Sequence, residues 1–473
     1  MLAAGFKRTK IVTTIGPASS SPEVLEDMML SGVNMFRLNF SHGTHEQHGK
    51  IITIARQLGK KHNRPIAILA DLQGPKIRVG TLPDDGLPFI EGDTVHFEFD
   101  ADYAKHQIIP MQHDISPYLK VGERIFLKDG QINVQITQIK KKLVSGKVVL
   151  PGLLYSNQGM NLPDTDLGGD IMTPKDIADL EFAAANDADY IALSFVQNAA
   201  DIHRLRQRLK ALGSDLLIIA KIETRAAIEN LQEIVDATDA IMVARGDLAV
   251  EISPESVPGI QRRLIQMSKV ARKPVIVATQ MLESMMHSTQ PLRAEVSDVA
   301  TAVMEGADCV MTSGETAMGL YPVETVQMMK RIILHTEREE LAIHTNRRAD
   351  SSLAAQGNAS AISAAAVVLA RQLPAKVILA ETTSGQTARN ISSFRPSVPV
   401  IMATNKRRVF NQLAIVWGGK SFFLEDMTDA ADKIITLLKD AGNVMTGDTI
   451  VVASGRKPNV SGGTDTVQVY SVD

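Results

Sequence analysis

The chain has 473 residues, of which 44% are hydrophobic and 22% are charged, and its formal net charge is −3. At about 150 residues per domain, this length predicts two to four domains. Surfaces that bind nucleic acid or membranes usually carry an excess of basic residues, so the charge balance argues against both kinds of partner.

Targeting and covalent cross-linking features are missing from the sequence. No apolar stretch reaches the ~18 residues that a membrane-spanning helix needs, and the single cysteine rules out a disulfide framework. The opening segment is too short for the apolar region of a secretory signal. We therefore expect a cytoplasmic protein, and an enzyme in particular.

Short apolar runs alternate with segments of helical periodicity through most of the chain. The first helix is clearly delimited, because Ser21 can cap it, Pro22 suits its first position and Gly32 can end it. Eight apolar runs are predicted to be strands: 10–15, 34–39, 65–71, 189–195, 216–222, 240–245, 274–279 and 308–313. This α/β alternation predicts a (β/α)8 TIM barrel, with an open doubly wound sheet as the alternative.

Two stretches depart from this alternation. Residues 75–170 are rich in Pro and Gly and contain alternating runs at 94–99 and 131–139, which are typical of antiparallel strands with one solvated face. They predict a small β domain inserted after the third barrel strand. After a last barrel helix at 323–343, a C-terminal α/β domain is predicted, with strands near 375–381, 398–403, 449–454 and 466–471. The predicted domains are 1–74 with 171–344, 75–170, and 345–473.

Every predicted barrel strand from the second to the eighth is followed by side chains that can bind phosphate, metal or carboxylate. Catalytic groups of (β/α)8 enzymes lie at the carboxyl ends of the strands, so these side chains are predicted to share one cavity. In strand order they are Arg37, Asn39, Ser41 and His42; Asp71; Ser194; Lys221 and Glu223; Arg245 and Asp247; Thr279 and Gln280; and Ser313, Glu315 and Thr316.

A lysine and two carboxylates form the centre of this predicted site. Glu223 and Asp247 offer hard oxygen ligands that suit Mg²⁺ or Mn²⁺. Lys221 and Arg37 could stabilise a phosphoryl group in transfer. The alternative is that Lys221 with Glu223, and Arg245 with Asp247, form local ion pairs. Two such pairs at neighbouring strand ends favour a catalytic site.

Other motifs carry less weight. There is no Gly-x4-Gly-Lys-Ser/Thr phosphate loop and no Gly-x-Gly-x-x-Gly segment after a strand. His42, His45 and His48 are spaced by threes, which drifts around a helix, so solvated residues are favoured over metal ligands. Cys309 lies in an apolar run and is predicted to be a core residue rather than a nucleophile.

Six segments resemble the pyruvate kinase family, in order and in spacing. They are residues 36–43 (FRLNFSHG), 71–78 (DLQGPKIR), 221–223 (KIE), 242–248 (MVARGDL), 278–285 (ATQMLESM) and 313–317 (SGETA). The resemblance covers essentially the whole chain, although the C-terminal domain agrees in layout more than in residues. It implies transfer of the phosphoryl group of phosphoenolpyruvate to ADP, giving pyruvate and ATP, with the insert acting as a small β-barrel lid.

The resemblance also implies roles for individual residues. Glu223 and Asp247 would hold Mg²⁺, a second Mg²⁺ would arrive with the nucleotide, and Lys221 would lie against the moving phosphoryl group. Thr279 and water would deliver the proton to the enolate carbon, with Ser313 and Glu315 behind Thr279. The residues implied in substrate binding are Arg37, Ser194, Lys221, Gly246, Asp247 and Thr279. Those implied in nucleotide binding are Asn39, His42, Arg78 and the lid residue Asp129.

The chain differs from the best-known form of the family near the monovalent-cation site. Many members need K⁺, held near the residues that match Asn39, Ser41 and Asp71, and carry a glutamate where this chain has Lys76. An ammonium group there could supply the charge that K⁺ brings, so the chain resembles the K⁺-independent, lysine-type subfamily. The alternative is an ordinary surface lysine.

Two further differences concern the lid and regulation. Gln158 replaces a lysine that the family usually has, so a weaker lid clamp on the nucleotide is expected. In the family, an allosteric sugar phosphate binds a loop that matches Thr382, Thr383, Ser384, Gly385, Gln386 and Thr387, and residues 455–458 complete the site. Glu381 and Gln386 do not favour a doubly phosphorylated sugar. A sugar-phosphate or AMP effector and an ordinary capped turn are both left open.

Two other functional classes are weighed against a kinase. A metal-dependent lyase or aldolase acting on pyruvate-like acids would share a Glu–Asp magnesium pair, but it would need neither the insert nor Lys221. A sugar-phosphate sensor without activity would not need Lys221, Glu223 and Asp247 to be intact. The resemblance further suggests a homotetramer, with residues 291–295 near one subunit contact.

Overall fold

The computed structural model describes residues 6–128, 130–165, 168, 170–343, 357–455 and 463–473. Two elements of the predicted sites, Asp129 and residues 456–458, lie outside the described residues. Within those residues, no helix is both long enough and apolar enough to cross a membrane.

A closed barrel of eight parallel strands is the largest element of the described chain. The strands are Lys10–Ile15, Met35–Asn39, Ala67–Asp71, Tyr190–Leu193, Leu217–Ile222, Ala240–Ala244, Val275–Ala278 and Cys309–Thr312. The last strand pairs with the first, with Cys309 beside Lys10. This closure confirms the predicted (β/α)8 barrel and excludes the open sheet. Strands three and four are neighbours although the whole insert separates them in sequence.

Helices connect and cover the barrel strands. The first helix has the predicted limits, since the Ser21 hydroxyl accepts a hydrogen bond from the Val24 amide at 3.3 Å and Gly32 follows with a φ of 135°. The α-helices are Pro22–Ser31, His45–Lys61, Pro174–Ala185, Ala199–Ala211, Arg225–Glu229, Leu231–Ala237, Arg245–Glu251, Val257–Ala271, Arg293–Glu305, Gly314–Ala317 and Pro322–Ile343, with short 3₁₀ turns at Pro254–Ser256 and Glu283–Met286.

The insert forms its own β structure with its own core. Its strands within the described residues are Ile77–Arg78, Leu87–Phe89, Thr94–Phe99, Ile109–Met111, Arg124–Leu127, Ile132–Lys140, Leu143–Leu150, Gly152–Leu154 and Gly159–Asn161, with a short helix at Tyr103–His106. Val79 bridges Met111, and the Gly80 amide donates to the Pro110 carbonyl at 2.7 Å. The two edges of the main sheet therefore meet, which closes a small barrel around a separate apolar cluster.

The C-terminal domain is an α/β sheet that is parallel except for its last strand. Its described strands are Val377–Glu381, Val400–Thr404, Gly419–Phe423, Thr449–Ser454 and Thr466–Ser471, and its helices are Asn358–Gln372, Gln386–Ser393, Arg407–Gln412 and Ala430–Asp440, with a 3₁₀ turn at Leu413–Ile415. Strand Gly419–Phe423 was not predicted, because it is a short edge strand that begins with Gly, Lys and Ser rather than with an apolar run.

The C-terminal domain closes the floor of the barrel. Ala414 and Ile415 belong to the same buried cluster as Tyr190 and the other side chains of the barrel interior. The Tyr190 hydroxyl donates to the Gln412 carbonyl at 2.7 Å. Cys309, predicted to be a core residue, is fully buried in this cluster. Because the interior of such a barrel must be filled by side chains, the C-terminal domain supplies its last layer.

Candidate active site

Lys221 stands at the end of the fifth barrel strand, where two other strand ends converge on it. Its ammonium donates to the Ser194 hydroxyl at 2.7 Å and lies 3.2 Å from Oε2 of Glu223. It also lies 3.6 Å from Oδ1 of Asp71. The fold therefore brings together side chains that follow the third, fourth and fifth strands, as the sequence predicts.

Arg37 extends this network to the first and second strands. Its Nε donates to Oδ2 of Asp71 at 2.5 Å, and its Nη1 donates to the Thr14 hydroxyl at 2.9 Å. Asp71 is only 1% exposed and therefore lies, shielded from solvent, between the guanidinium of Arg37 and the ammonium of Lys221. Two cations thus share one buried carboxylate, and Arg37 is held facing the barrel mouth.

The electrostatic environment keeps Lys221 charged. Burial opposes the charged ammonium, but the carboxylates of Asp71 and Glu223 outweigh it, so the pKa of Lys221 is raised. Burial also raises the pKa of Glu223, and nearby Asp247 adds to this effect while Lys221 opposes it. The result is a cationic lysine beside a carboxylate whose negative charge is poorly compensated by the protein alone.

The residues present fit a divalent cation. Oε1 of Glu223 accepts a hydrogen bond from the Phe195 amide at 2.7 Å, whereas its buried Oε2 accepts no hydrogen bond within the described residues and lies 3.2 Å from the Lys221 ammonium. A buried carboxylate oxygen that accepts no hydrogen bond fits a place for a bound ion. No group of three or more His, Cys, Asp or Glu in the described part of the chain could hold a metal ion. Glu223 and Asp247 would supply two oxygen ligands, and Mg²⁺ commonly fills its other positions with water and substrate oxygens.

The sixth and seventh strand ends are tied together by backbone and side-chain bonds. The Gly246 amide donates to the Thr279 hydroxyl at 2.9 Å. Arg245 donates to the Thr279 carbonyl at 2.5 Å and lies 2.7 Å from the Asp298 carboxylate. Arg245 thus pairs with Asp298 rather than with Asp247, contrary to the alternative of a local pair. Thr279 has a φ of 71°, an unusual backbone for a β-branched residue and one that is found mainly at functional sites.

Glu315, after the eighth strand, is engaged by backbone amides. Its Oε1 accepts from the Leu282 amide at 3.1 Å and its Oε2 accepts from the Ser313 amide at 2.6 Å. Its side chain is buried. The carboxylate therefore joins the loops that follow the seventh and eighth strands, just behind Thr279.

The residues predicted to face the nucleotide lie around the end of the second strand and the start of the insert. Oδ1 of Asn39 accepts from the Ser41 amide at 3.1 Å, and His42 is exposed. Arg78 donates to the Asn157 carbonyl at 2.9 Å. Lys76 is partly exposed, and its ammonium makes no ion pair or hydrogen bond within the described residues. Within the described residues, the bonds and ion pairs of Lys221 are instead to Ser194, Asp71 and Glu223.

The histidines that follow the second strand are held by aromatic rings and acceptors. The ring of His45 stacks on Phe182 with centroids 4.4 Å apart, and its Nε2 lies 2.7 Å from Asp179. The ring of His48 stacks on Phe40, and its Nε2 lies 3.0 Å from the His42 carbonyl. Both side chains therefore anchor the start of their helix to its surroundings.

The loop predicted to bind an effector is largely bonded to itself and to its neighbours. The Thr382 hydroxyl accepts from the Gly385 amide at 2.8 Å, and the Thr387 hydroxyl lies 2.6 Å from the Thr464 hydroxyl. Burial and the nearby Asp432 raise the pKa of Glu381, the residue that precedes the loop.

Sequence reasoning missed Glu251, the last residue of helix Arg245–Glu251. Burial raises the pKa of its carboxyl to about 7, against the opposing interactions of the Arg225 backbone amide and the Asn161 side chain. Asn161 belongs to the insert, so Glu251 marks a place where the lid meets the barrel. The signal in the sequence was its position one helical turn after Asp247, on the same face of the helix.

A (β/α)8 barrel with an inserted β domain and a buried Lys–Glu–Asp cluster at its mouth fits a phosphoryl-transferring enzyme. Comparison with known proteins supports this class. Residues 6–326 match the family model "Pyruvate kinase, barrel domain" and residues 360–470 match "Pyruvate kinase, alpha/beta domain". The chain belongs to the pyruvate kinase family.

Individual relatives agree along the full length. A pyruvate kinase from Agrobacterium vitis is 41% identical over 99% of both chains, and one from Thermococcus litoralis is 38% identical over 98% of both. A crystal structure of a pyruvate kinase from Cryptosporidium parvum superimposes with a TM-score of 0.89 at 33% identity, over 99% of this chain and 96% of that one. The chain is therefore a Mg²⁺-using phosphotransferase that converts phosphoenolpyruvate and ADP to pyruvate and ATP, and not a lyase, an aldolase or a sensor.

We predict that Glu251→Gln stabilises the protein above pH 7. In the unfolded chain Glu251 ionises near its ordinary pKa of 4.5, whereas in the folded protein it ionises near 7. Between these values the unfolded state binds fewer protons, so the stability of the wild type falls as the pH rises through this window. The uncharged amide of the variant has no such dependence, and the gain should reach at most about 3 kcal/mol.

Thermal unfolding of both proteins between pH 5 and pH 8 measures this effect. The difference in Tm should be small at pH 5 and largest above pH 7. The exposed Glu255→Gln, four residues further along, is the control for the loss of a surface carboxylate. A constant difference for Glu251→Gln would contradict the prediction.

Proposed function

We propose that Lys221 is the cation that faces the phosphoryl group during its transfer from phosphoenolpyruvate to ADP. The observation that carries this proposal is the buried ammonium held by Ser194, Glu223 and Asp71 at the barrel mouth. A phosphoryl group in transfer spreads negative charge over its oxygens. A positioned charge inside a protein stabilises it more strongly than an exposed charge does.

The metal is assigned to two carboxylates. Glu223 and Asp247 would hold Mg²⁺ or Mn²⁺, and the buried Oε2 of Glu223, which accepts no hydrogen bond within the described residues, supports this assignment. When bound, the metal supplies Lewis-acid polarisation of substrate oxygens. Beside the metal, Arg37 would bind the substrate phosphate. The substrate pocket would be lined by Ser194, Gly246, Asp247 and Thr279.

The remaining roles concern the proton and the nucleotide. Thr279 with water would deliver the proton to the enolate carbon, and Ser313 and Glu315 would hold the loop behind it. The nucleotide would lie toward Asn39, His42, Arg78 and Asp129. Residues 75–170 are assigned as the lid, between a barrel of residues 1–74 with 171–344 and a C-terminal regulatory domain of residues 345–473. Closure of the lid would exclude water from the phosphoryl group.

We predict that Lys221→Met lowers kcat at least about a hundredfold, because the charge that stabilises the transition state is lost. Mn²⁺ binding should be retained, because Glu223 and Asp247 remain. Coupled assays of ATP formation and electron paramagnetic resonance of Mn²⁺ measure the two effects. The exposed Lys210→Met on helix Ala199–Ala211 serves as the control. Turnover close to that of the wild type would refute the role of Lys221.

Lys76 is proposed to replace K⁺. The wild type should then be fully active with tetramethylammonium as the monovalent cation, since the ammonium of Lys76 supplies the charge and would repel a second cation. Lys76→Glu should lose activity in that buffer and regain it when K⁺ is added, whereas Lys76→Met should not regain it. Strong activation of the wild type by K⁺ would show that Lys76 is an ordinary surface residue.

The segment from Thr382 to Thr387 is proposed as the binding loop for a phosphorylated effector, a sugar phosphate or AMP, in a cytoplasmic homotetramer. Its position between a strand and a helix start supports this. We expect one member of a panel of sugar phosphates and AMP to lower the KM for phosphoenolpyruvate, and Thr382→Val to remove the response. Light scattering of the same samples measures the oligomeric state. An unchanged KM with every compound would show that this segment is an ordinary capped turn.

A further inference from the structure

The carboxylate of Asp176 joins the two linkers that connect the insert to the barrel. Its Oδ1 accepts from the amide of Gly74, which lies between the third barrel strand and the first strand of the insert, at 3.0 Å. Its Oδ2 accepts from the amide of Thr173 at 2.8 Å and from the hydroxyl of the same residue at 2.6 Å. Thr173 caps helix Pro174–Ala185, the first helix after the insert. Asp176 is fully buried.

The Gly74 linker is in close contact with the catalytic centre. Gly74 has a φ of 70°, and a Cβ atom at this position would lie 2.8 Å from Cδ2 of Phe195 and 3.0 Å from Cβ of Ser194. Ser194 accepts from Lys221, and the Phe195 amide donates to Glu223. A continuous series of contacts therefore runs from Asp176 through Gly74 to the two side chains at the end of the fifth strand.

We propose that Asp176 is a positioning residue that holds both linkers of the lid together and, through Gly74, aligns the turn of Ser194 and Phe195 beneath Lys221 and Glu223. A capping box requires only the bonds between Asp176 and Thr173. The bond to Gly74 is additional, and a buried carboxylate makes it a strong, charge-assisted one. This inference rests on the proposed role of Glu223 as a metal ligand.

The next helix offers a matched comparison. Asp201 occupies the same capping-box position in helix Ala199–Ala211 and is also buried. Its carboxylate accepts from the Gln197 and Asn198 amides and pairs with Arg204, all at the start of its own helix. Removing either aspartate removes the N3 half of a capping box, but of the two only Asp176 also accepts from the linker that leads into the insert.

The test compares Asp176→Ala with Asp201→Ala. We expect a loss of Tm in both variants, because each loses the buried carboxylate that completes a capping box. Only Asp176→Ala should weaken Mn²⁺ binding to the substrate-free enzyme, by about tenfold, the low end of the effect of residues behind a metal ligand. It should also lower kcat. Equal Mn²⁺ affinities in the two variants would overturn the proposal.

Gly74→Ala tests the same path without removing the cap. Its Cβ should displace Phe195 and weaken Mn²⁺ binding. If the two residues act through one path, the double variant Asp176→Ala with Gly74→Ala should bind Mn²⁺ no more weakly than whichever single variant binds it less tightly. Additive losses would overturn the shared path. Because Mn²⁺ binding is measured without substrates, these outcomes are distinct from a failure of the proposed function, which would appear as no ATP formed by the wild type.

Discussion

The active site depends on a buried ammonium that only nearby carboxylates can stabilise. An unpaired charge at the position of Lys221 would cost several kcal/mol in desolvation. Asp71 and Glu223 offset this cost, and together they raise the pKa of Lys221, which keeps it cationic. The negative charge of Glu223 is only partly compensated, because burial raises its pKa although the Lys221 ammonium lies 3.2 Å from its Oε2. The arrangement that stabilises the lysine therefore also prepares a place for a divalent cation.

A closed barrel is the structure that can bring these charges together. Side chains that follow parallel strands all emerge at one end, so residues far apart in sequence meet without long loops. The opposite end must be filled, and here Ala414 and Ile415 of the C-terminal domain complete the buried interior. The barrel and the C-terminal domain are therefore joined through one packed core.

The loops at the mouth hold the site in a geometry that the strands alone do not specify. Arg245 and Glu315 bind backbone atoms of neighbouring loops. Arg245 binds the carbonyl of Thr279, whose left-handed backbone would otherwise be unfavourable. The insert is attached to the same framework, because the Gly74 linker packs on Ser194 and Phe195. The linker that leads into the insert is thus packed against the loop whose amide binds Glu223.

The sequence by itself determined the strand order, the closed barrel, the insert and the meeting of Arg37, Asp71, Ser194, Lys221 and Glu223. This was possible because apolar strand runs and the polar residues that follow them are local features, and parallel register places their ends together. Only the tertiary structure decided which polar groups pair. Asp176 meets Gly74 across 102 residues, and Arg245 meets Asp298 across 53. Such partners are chosen by packing between elements, which leaves no local pattern in the chain, and the short edge strand Gly419–Phe423 was missed for the same reason.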